Sequence, residues 1–384
     1  MAEFYSGLTY SPDNVIETGG TFVLRSSNVT AGEIVNADNV YVESDVVNCD
    51  NVKVGDIIVV VRNGSRNLIG KHAQLKKEMK NTVIGAFMTG LRSAQSEFVN
   101  VLLDTQKFDV EIAKNLGATI NQITTGAFKQ MTFSIPIETA EQTAIGNFFR
   151  TLDDAITLYK RKLDGLKELK KGYLQQMFPQ AGERVPRVRF AGFSGDWENK
   201  TLGKISKKVA EKNKNNEFIE TLTNSAEYGI INQREFFDKD ISNKKNLDSY
   251  YIVRSDDFVY NPRISNFAPV GPVKRNCLGR TGVMSPLYYV FRVFDGDLTF
   301  IEKYFESVYW HEFMKLNGDN GVRADRFNIK DSTFEEMPIP FPSLSEQICI
   351  GSFFRDLDEQ ITAQTQKLEQ MKRLKAAYLQ KMFI

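Results

Sequence analysis

The sequence predicts a mixed α/β protein made of two similar domains, separated and joined by two long helices that form an antiparallel coiled coil with pseudo-twofold symmetry. Residues 141–178 align without a gap on residues 346–383, 205 positions later, with 21 of 38 residues identical. The segments before each copy, roughly 1–140 and 181–345, are far less alike. The apolar residues of each copy recur at alternating steps of four and three, the seam of a coiled coil and not the broad face of a helix on a sheet. The layout is a variable head, a shared helix, a second variable head and the shared helix again.

The first head, 1–140, carries short β-forming runs between turn signals. Ile57–Val61 is a strand bounded by Gly55-Asp56 and Asn63-Gly64, and Phe98–Leu103 reads as another. The first spacer helix, 141–180, buries Ile145, Phe149, Leu152, Ile156, Leu163, Leu166, Leu169 and Tyr173, with Tyr159 and Met177 on the same stripe. The step from Leu163 through Leu166 to Leu169 is three-three, which would overwind the seam locally. Gly165 and Gly172 weaken this helix and offer a place to bend or approach closely.

The second head, 181–345, opens with the basic, Pro-interrupted stretch VPRVRFAGFSGDWENKTLGKI, and DFVY at 257–260 and LYYVFRVF at 287–294 are its strand candidates. Phe128, Met131 and Pro136 recur as Phe334, Met337 and Pro342, and each proline ends an extended segment before a helix. The heads therefore read as diverged copies of one fold, with Arg62 opposite Arg263. The second spacer helix, 346–384, repeats the stripe as Ile350, Phe354, Leu357, Ile361, Leu368, Met371, Leu374 and Tyr378, followed by Met382. Gln364 stands where the first copy has Tyr159, so one layer is polar on one side, a device that fixes register. Thirty-six helical residues would span about 54 Å, so an antiparallel pair forms a rod between the heads. The alternative is that each helix buries its stripe against its own head.

With 49 basic and 48 acidic residues the chain has no strongly basic tail. The charge is nonetheless uneven. Residues 57–77 hold five cations and no acid, and so do residues 258–294. Arg62, Arg66 and Lys71 in the first patch, and Arg263, Lys274, Arg275 and Arg280 in the second, are candidates to neutralise phosphates. Asn63, Asn67, Asn261 and Asn276 are their base-reading companions. The competing reading of each patch is a solvated face.

Three scattered cysteines, Cys49, Cys277 and Cys349, suit neither a disulfide framework nor a spaced zinc site. His72 and His311 sit in no metal motif, and neither a phosphate loop nor a dinucleotide fingerprint occurs. Arg280-Thr-Gly282 and Asn317–Gly321 read as turns. Asp153, Asp154, Asp358 and Glu359 read as solvated or interfacial charges on the helices. We identify no catalytic, cofactor-binding or metal-ligating set. Without an apolar run of membrane-span length or a leader, the chain reads as soluble and cytoplasmic.

The head-helix-head-helix order, the PIETAEQ and PSLSEQ helix entries, the FF-R-LD-I cores and the YLQ-MF endings together resemble the DNA-specificity subunits of Type I restriction-modification systems. RFAGFSGDWENKTLGKI and VGDIIVVVRNGS are also similar to that family, and the resemblance spans essentially the whole chain. It implies two target-recognition domains that each read half of a bipartite asymmetric site, with the helices setting the gap. It implies two adenine-N6 methyltransferase subunits as partners, carrying S-adenosylmethionine, and motor-nuclease subunits that add ATP- and Mg²⁺-dependent restriction. The chain itself lacks an NPPY-type methylation motif, which agrees with a non-catalytic role. The family usually carries a copy of the WENKTLGKI opening before its first head as well. Here the first head begins at MAEFYSGLTYSPDN, a departure that bears on its packing and on assembly. The alternatives from other classes are a coiled-coil scaffold, a general double-stranded-DNA-binding protein and a free-standing hydrolase.

Overall fold

A computed structural model describes residues 1–116, 121–180, 182–234, 244–320 and 325–383. The chain divides into two compact units, Met1–Arg161 with Thr365–Ile384, and Lys162–Gln364. The spacer helices are therefore not separate bodies. Each unit contains one head, part of the helix Thr139–Gln176 and part of the helix Leu344–Met382.

In the first unit an antiparallel sheet runs in the order Glu3–Ser6, Met88–Arg92, Ile57–Val60, His72–Gln74. Alternate residues of its central strand face opposite ways, as a pleat requires. Ile57 and Val59 pack with Val99, Leu103 and Phe108 of the head helices, whereas Ile58 and Val60 pack with Phe22, Leu24 and Ile84 of a second sheet. The second unit repeats this plan with Ser206–Lys208, Tyr289–Val293, Phe258–Tyr260 and Val273–Arg275. Phe258 and Tyr260 face Phe300, Phe305 and Phe334, while Val259 faces Leu222, Val253 and Met284.

The run Phe98–Leu103 is not a strand. It lies in the helix Ser96–Leu103, which is buried on two sides. Phe98, Val101 and Leu102 meet the long helix at Ile145 and Phe149, while Val99 and Leu103 meet the sheet. An apolar run this short fits a buried strand as well as a helix, because it covers less than two helical turns.

Antiparallel helix pairing appears within each unit. In the first, Phe148 stacks edge-on against Tyr378 at 4.9 Å, and Phe383 packs against Phe98 at 5.7 Å and Phe149 at 6.2 Å. In the second, Tyr173 meets Phe353 at 5.0 Å, and Phe178 packs against Phe300 at 5.3 Å and Phe354 at 6.4 Å. Every helix residue in one set is the other's equivalent at the 205-residue offset. The helix entries match as well, because Gln142 and Gln347 are buried and donate to the carbonyls of Pro136 and Pro342 at 2.8 and 2.9 Å.

Two details of the predicted seam are corrected. Leu169 and its equivalent Leu374 are exposed, at 47% and 42%. The seam position beside each is a lysine. Counting Lys170 and Lys375 restores the regular alternation of threes and fours, so no overwinding is required. Lys170 bridges Asp358 at 2.6 Å and Glu306 at 2.7 Å, and Lys375 bridges Asp104 and Asp153 at 2.7 Å each. The close approach expected at Gly165 or Gly172 occurs instead at Gly146 and Gly351. A Cβ on Gly146 would lie 2.7 Å from the Phe98 nitrogen, and one on Gly351 2.6 Å from Asp297 Oδ1, whereas Gly165 and Gly172 face open space. The other predicted helix-interface residues are buried or half-buried, except Tyr378 at 37% and Met382 at 40% exposure, and Gln364 is buried. No helix among the described residues is long and apolar enough to cross a membrane.

Burial works to raise the Glu306 carboxyl, but Lys303 and Lys170 overcome it and hold it at about 2. A depressed carboxylate pKa contributes stability above its ordinary value that is lost as pH falls. Lys170→Met is expected to lower unfolding stability near neutral pH by on the order of 2–3 kcal/mol, measured by denaturant titration. The deficit should be complete above the ordinary value of 4.5 and shrink towards pH 2, where Glu306 protonates in the parent chain too.

Candidate nucleic-acid interface

Each head builds its exposed loop on the same anchor. The aspartate before the central strand, Asp56 or Asp257, is buried. It accepts a backbone N–H from Lys53 at 2.9 Å or Arg254 at 2.8 Å. It also accepts from Arg92 Nε at 3.1 Å or Arg292 Nε at 2.7 Å. Each aspartate is thus a structural clasp, and in the second head it occupies Arg292.

Beyond the strand the chain leaves the sheet and is held by a second backbone segment. In the first head Arg62 is bridged antiparallel to Gln122, with Ile123 N–H donating to the Val61 carbonyl at 2.8 Å. In the second, Arg263 is bridged to Arg326, with Phe327 N–H donating to the Pro262 carbonyl at 2.8 Å. Asparagines shape both turns by accepting local N–H groups. Asn63 Oδ1 accepts from Ser65 and Asn261 Oδ1 from Arg263, and their amides donate to Ser26 Oγ and the Asn224 carbonyl. Asn63 and Asn261 are turn-formers first.

In the first head Arg62, Arg66 and Asn67 are exposed on one loop, and Lys71 is half-buried at its end. The Arg62 guanidinium lies 4.7 Å from the ring centre of Phe87, which is itself half exposed. Such a stack holds a cation at the surface without neutralising it.

The second head brings together fewer of its predicted residues. Asn276 is fully buried, and its amide donates to the carbonyls of Val253, Arg254 and Arg280 while its oxygen accepts from Leu278. Arg275 is clamped by Glu302 at 2.8 Å and Asp256 at 3.7 Å. Arg280 donates to both oxygens of Glu220 and holds that carboxyl below its usual range. Asn276 is corrected to a structural role by its burial, and Arg275 and Arg280 are engaged by acids that a local charge count cannot reveal. Arg263 remains exposed, with Asp325 3.8 Å away, and Lys274 is half-buried. Arg326 lay outside the basic window, and only the long-range bridge places it beside Arg263.

The rest of the titratable chemistry is local. His72 is buried, with its ring nitrogens 3.1 Å from the Gly70 carbonyl and 3.3 Å from Asp104. His311 packs on Trp310, and burial with Lys315 pushes its imidazole down to about 4. Cys49, Cys277 and Cys349 are free thiols. Among the described residues no group of three or more His, Cys, Asp or Glu side chains is placed to hold a metal ion. Of the turn expected at 317–321, Asn317 ends the helix Trp310–Asn317, Asp319–Asn320 is a short strand, and Gly321 lies outside the described residues.

Two α/β heads that present different side chains on one repeated frame define a tandem recognition protein. The model of the Type I restriction modification DNA specificity domain matches residues 1–168 and again 194–373, and the chain belongs to that family. It is a DNA-specificity subunit, which works with DNA and the other components of a restriction-modification complex. In fold it is similar to the S subunit of a Type I restriction-modification system from M. genitalium. The TM-score is 0.61 at 14% identity, over 100% of this chain and 94% of the other. It is also similar to a chain from a type I R-M system solved to explain complex assembly and conformational transition, with TM-score 0.50 and 15% identity over 95% and 92%.

The loop assignments separate reading from folding. Arg62→Ala and Arg263→Ala are each expected to weaken DNA binding with normal thermal stability, and to flatten the salt dependence if the lost contact was to phosphate. Asn276→Ala should do the reverse, costing about 2–3 kcal/mol of stability while the folded fraction keeps its selectivity. Binding titrations at several salt concentrations beside denaturant curves check both.

Proposed function

We propose that this chain is the non-catalytic reader of a bipartite DNA site, in which each head recognises one half and the paired helices set the unspecified gap. The observation that carries the reading is the repeated frame with unlike side chains. Arg62, Gln122 and Phe87 occupy in one head the positions of Arg263, Arg326 and Leu287 in the other. A fixed frame with variable exposed groups suits recognition of two different sequences. A scaffold would have no use for an exposed arginine at the equivalent place in each head.

In this reading two adenine-N6 methyltransferase subunits dock on the chain and bring S-adenosylmethionine, and motor-nuclease subunits add ATP- and Mg²⁺-dependent restriction. The chain supplies positioning: phosphate contacts fix orientation, and polar groups in the loops distinguish base edges. No residue set described above supplies a nucleophile or a general base to it.

Co-expression with the cognate methyltransferase subunit, followed by genome-wide mapping of adenine methylation, tests the proposal. A split motif is expected with both proteins and with neither alone. Methylation of the same motif by the methyltransferase alone would overturn it, as would a verified complex that leaves no motif.

A further inference from the structure

The second head carries a half-open cavity of about 680 Å³ beside the Arg263 loop, lined by Asn224, Gln233, Arg263, Phe267, Tyr288 and Arg326 among others. Asn224 is 2% exposed, and its orientation is fixed from behind. Its Nδ2 donates to the carbonyls of Val259 at 2.7 Å and Pro272 at 3.2 Å. Carbonyls only accept, so the amide cannot be flipped, and Oδ1 is the atom left without a partner among the described residues. Gln233 Oε1, on the same cavity, is a second buried oxygen without a partner among the described residues. One orphaned acceptor is an uncommon cost in a folded protein, and two on one cavity call for a ligand that donates.

The rim has the opposite character. Arg263 and Arg326 are held side by side by their backbone bridge, with Asp325 the nearby acid, at 3.8 Å from Arg263. Phe267 is 79% exposed, and the Tyr288 hydroxyl lies 3.1 Å from Thr223 Oγ. A cationic rim around an acceptor floor suits a polyanion that carries hydrogen-bond donors. Within a duplex the donors on the major-groove edge are the amino groups of adenine and cytosine.

We propose that this cavity is where the second head reads its half-site. An adenine or cytosine amino group donates towards Gln233 Oε1 and Asn224 Oδ1, directly or through one ordered water, while Arg263 and Arg326 hold the flanking phosphates. Asn224 is a positioning residue because its amide also ties down the strand Phe258–Tyr260. Gln233 is the specificity determinant. The inference rests on the reading of the chain as a split-site recogniser and assigns which residues specify one half.

The test compares Gln233→Met, which keeps length and loses the acceptor, with Tyr288→Phe, which removes one hydroxyl at the cavity wall. Each full-length variant is co-expressed with the cognate methyltransferase subunit, and its methylation motif is mapped beside the parent's. The first half-site serves as the internal control. Gln233→Met is expected to relax discrimination about tenfold at one adenine or cytosine position of a single half-site, leaving the other half and the gap unchanged. Tyr288→Phe should change the same half more weakly. Arg326→Ala should lower affinity evenly across sequences and reduce the salt slope by about one. Two unchanged half-sites in both Gln233→Met and Tyr288→Phe would overturn the assignment. Equal damage to both halves, or loss of all methylation in either variant, would also overturn it, because these residues would then serve the fold. A parent protein without a split motif would instead defeat the underlying reading of function.

Discussion

A phenylalanine near the end of each long helix closes the core on which its unit depends. Phe178 and Phe383 each sit between a head helix and the opposite long helix, and both are buried. Burying such a ring contributes roughly 1.5–3 kcal/mol, and its aromatic contacts add about 0.5–1.5 kcal/mol each. Three elements distant in sequence therefore become one core only when both helices are present and run in opposite directions. The lysine about two turns before reinforces that direction. Lys170 and Lys375 each find a carboxylate on the partner helix and another on the head.

That arrangement explains why the helices are alike and the heads are not. Residues at the helix-to-head contact face the same geometry twice, and the solution is repeated: Gly146 and Gly351 admit the head helix, and Gln142 and Gln347 secure the entry. Beyond the clasp of Asp56 with Arg92, or of Asp257 with Arg292, the loops are tethered by backbone bridges that any side chain tolerates. Specificity can then change without disturbing the frame. The different pairs Arg62–Gln122 and Arg263–Arg326 on equivalent bridges are the form such divergence takes.

Much of this was legible in the sequence, because periodicity and internal repetition are local signals. The seam was visible from Ile145 to Leu163, but its continuation was misread at Leu169, since a seam position filled by a lysine looks polar in one dimension. The helix Ser96–Leu103 was misread for a different reason: its apolar run is too short for periodicity to separate helix from strand. Charge proved the least legible signal. Arg275 and Arg280 belong to a run without acids, yet Glu302 and Glu220 meet them from elsewhere in the chain. Arg326 escaped notice because only a bridge spanning more than sixty residues brings it to Arg263. The oxygens of Asn224 and Gln233 that lack a partner among the described residues carry no sequence signal at all, since their significance lies in what surrounds them.

The central claim is that a constant frame carries two independently variable readers. Its most direct measurement is the methylation motif of a chimera in which residues 181–340 are replaced by the matching segment of a family member with a different known site, with both long helices left intact. The account predicts a motif with one half exchanged, the other half retained and the gap between them unchanged. A motif altered in both halves, or a changed gap, would contradict it.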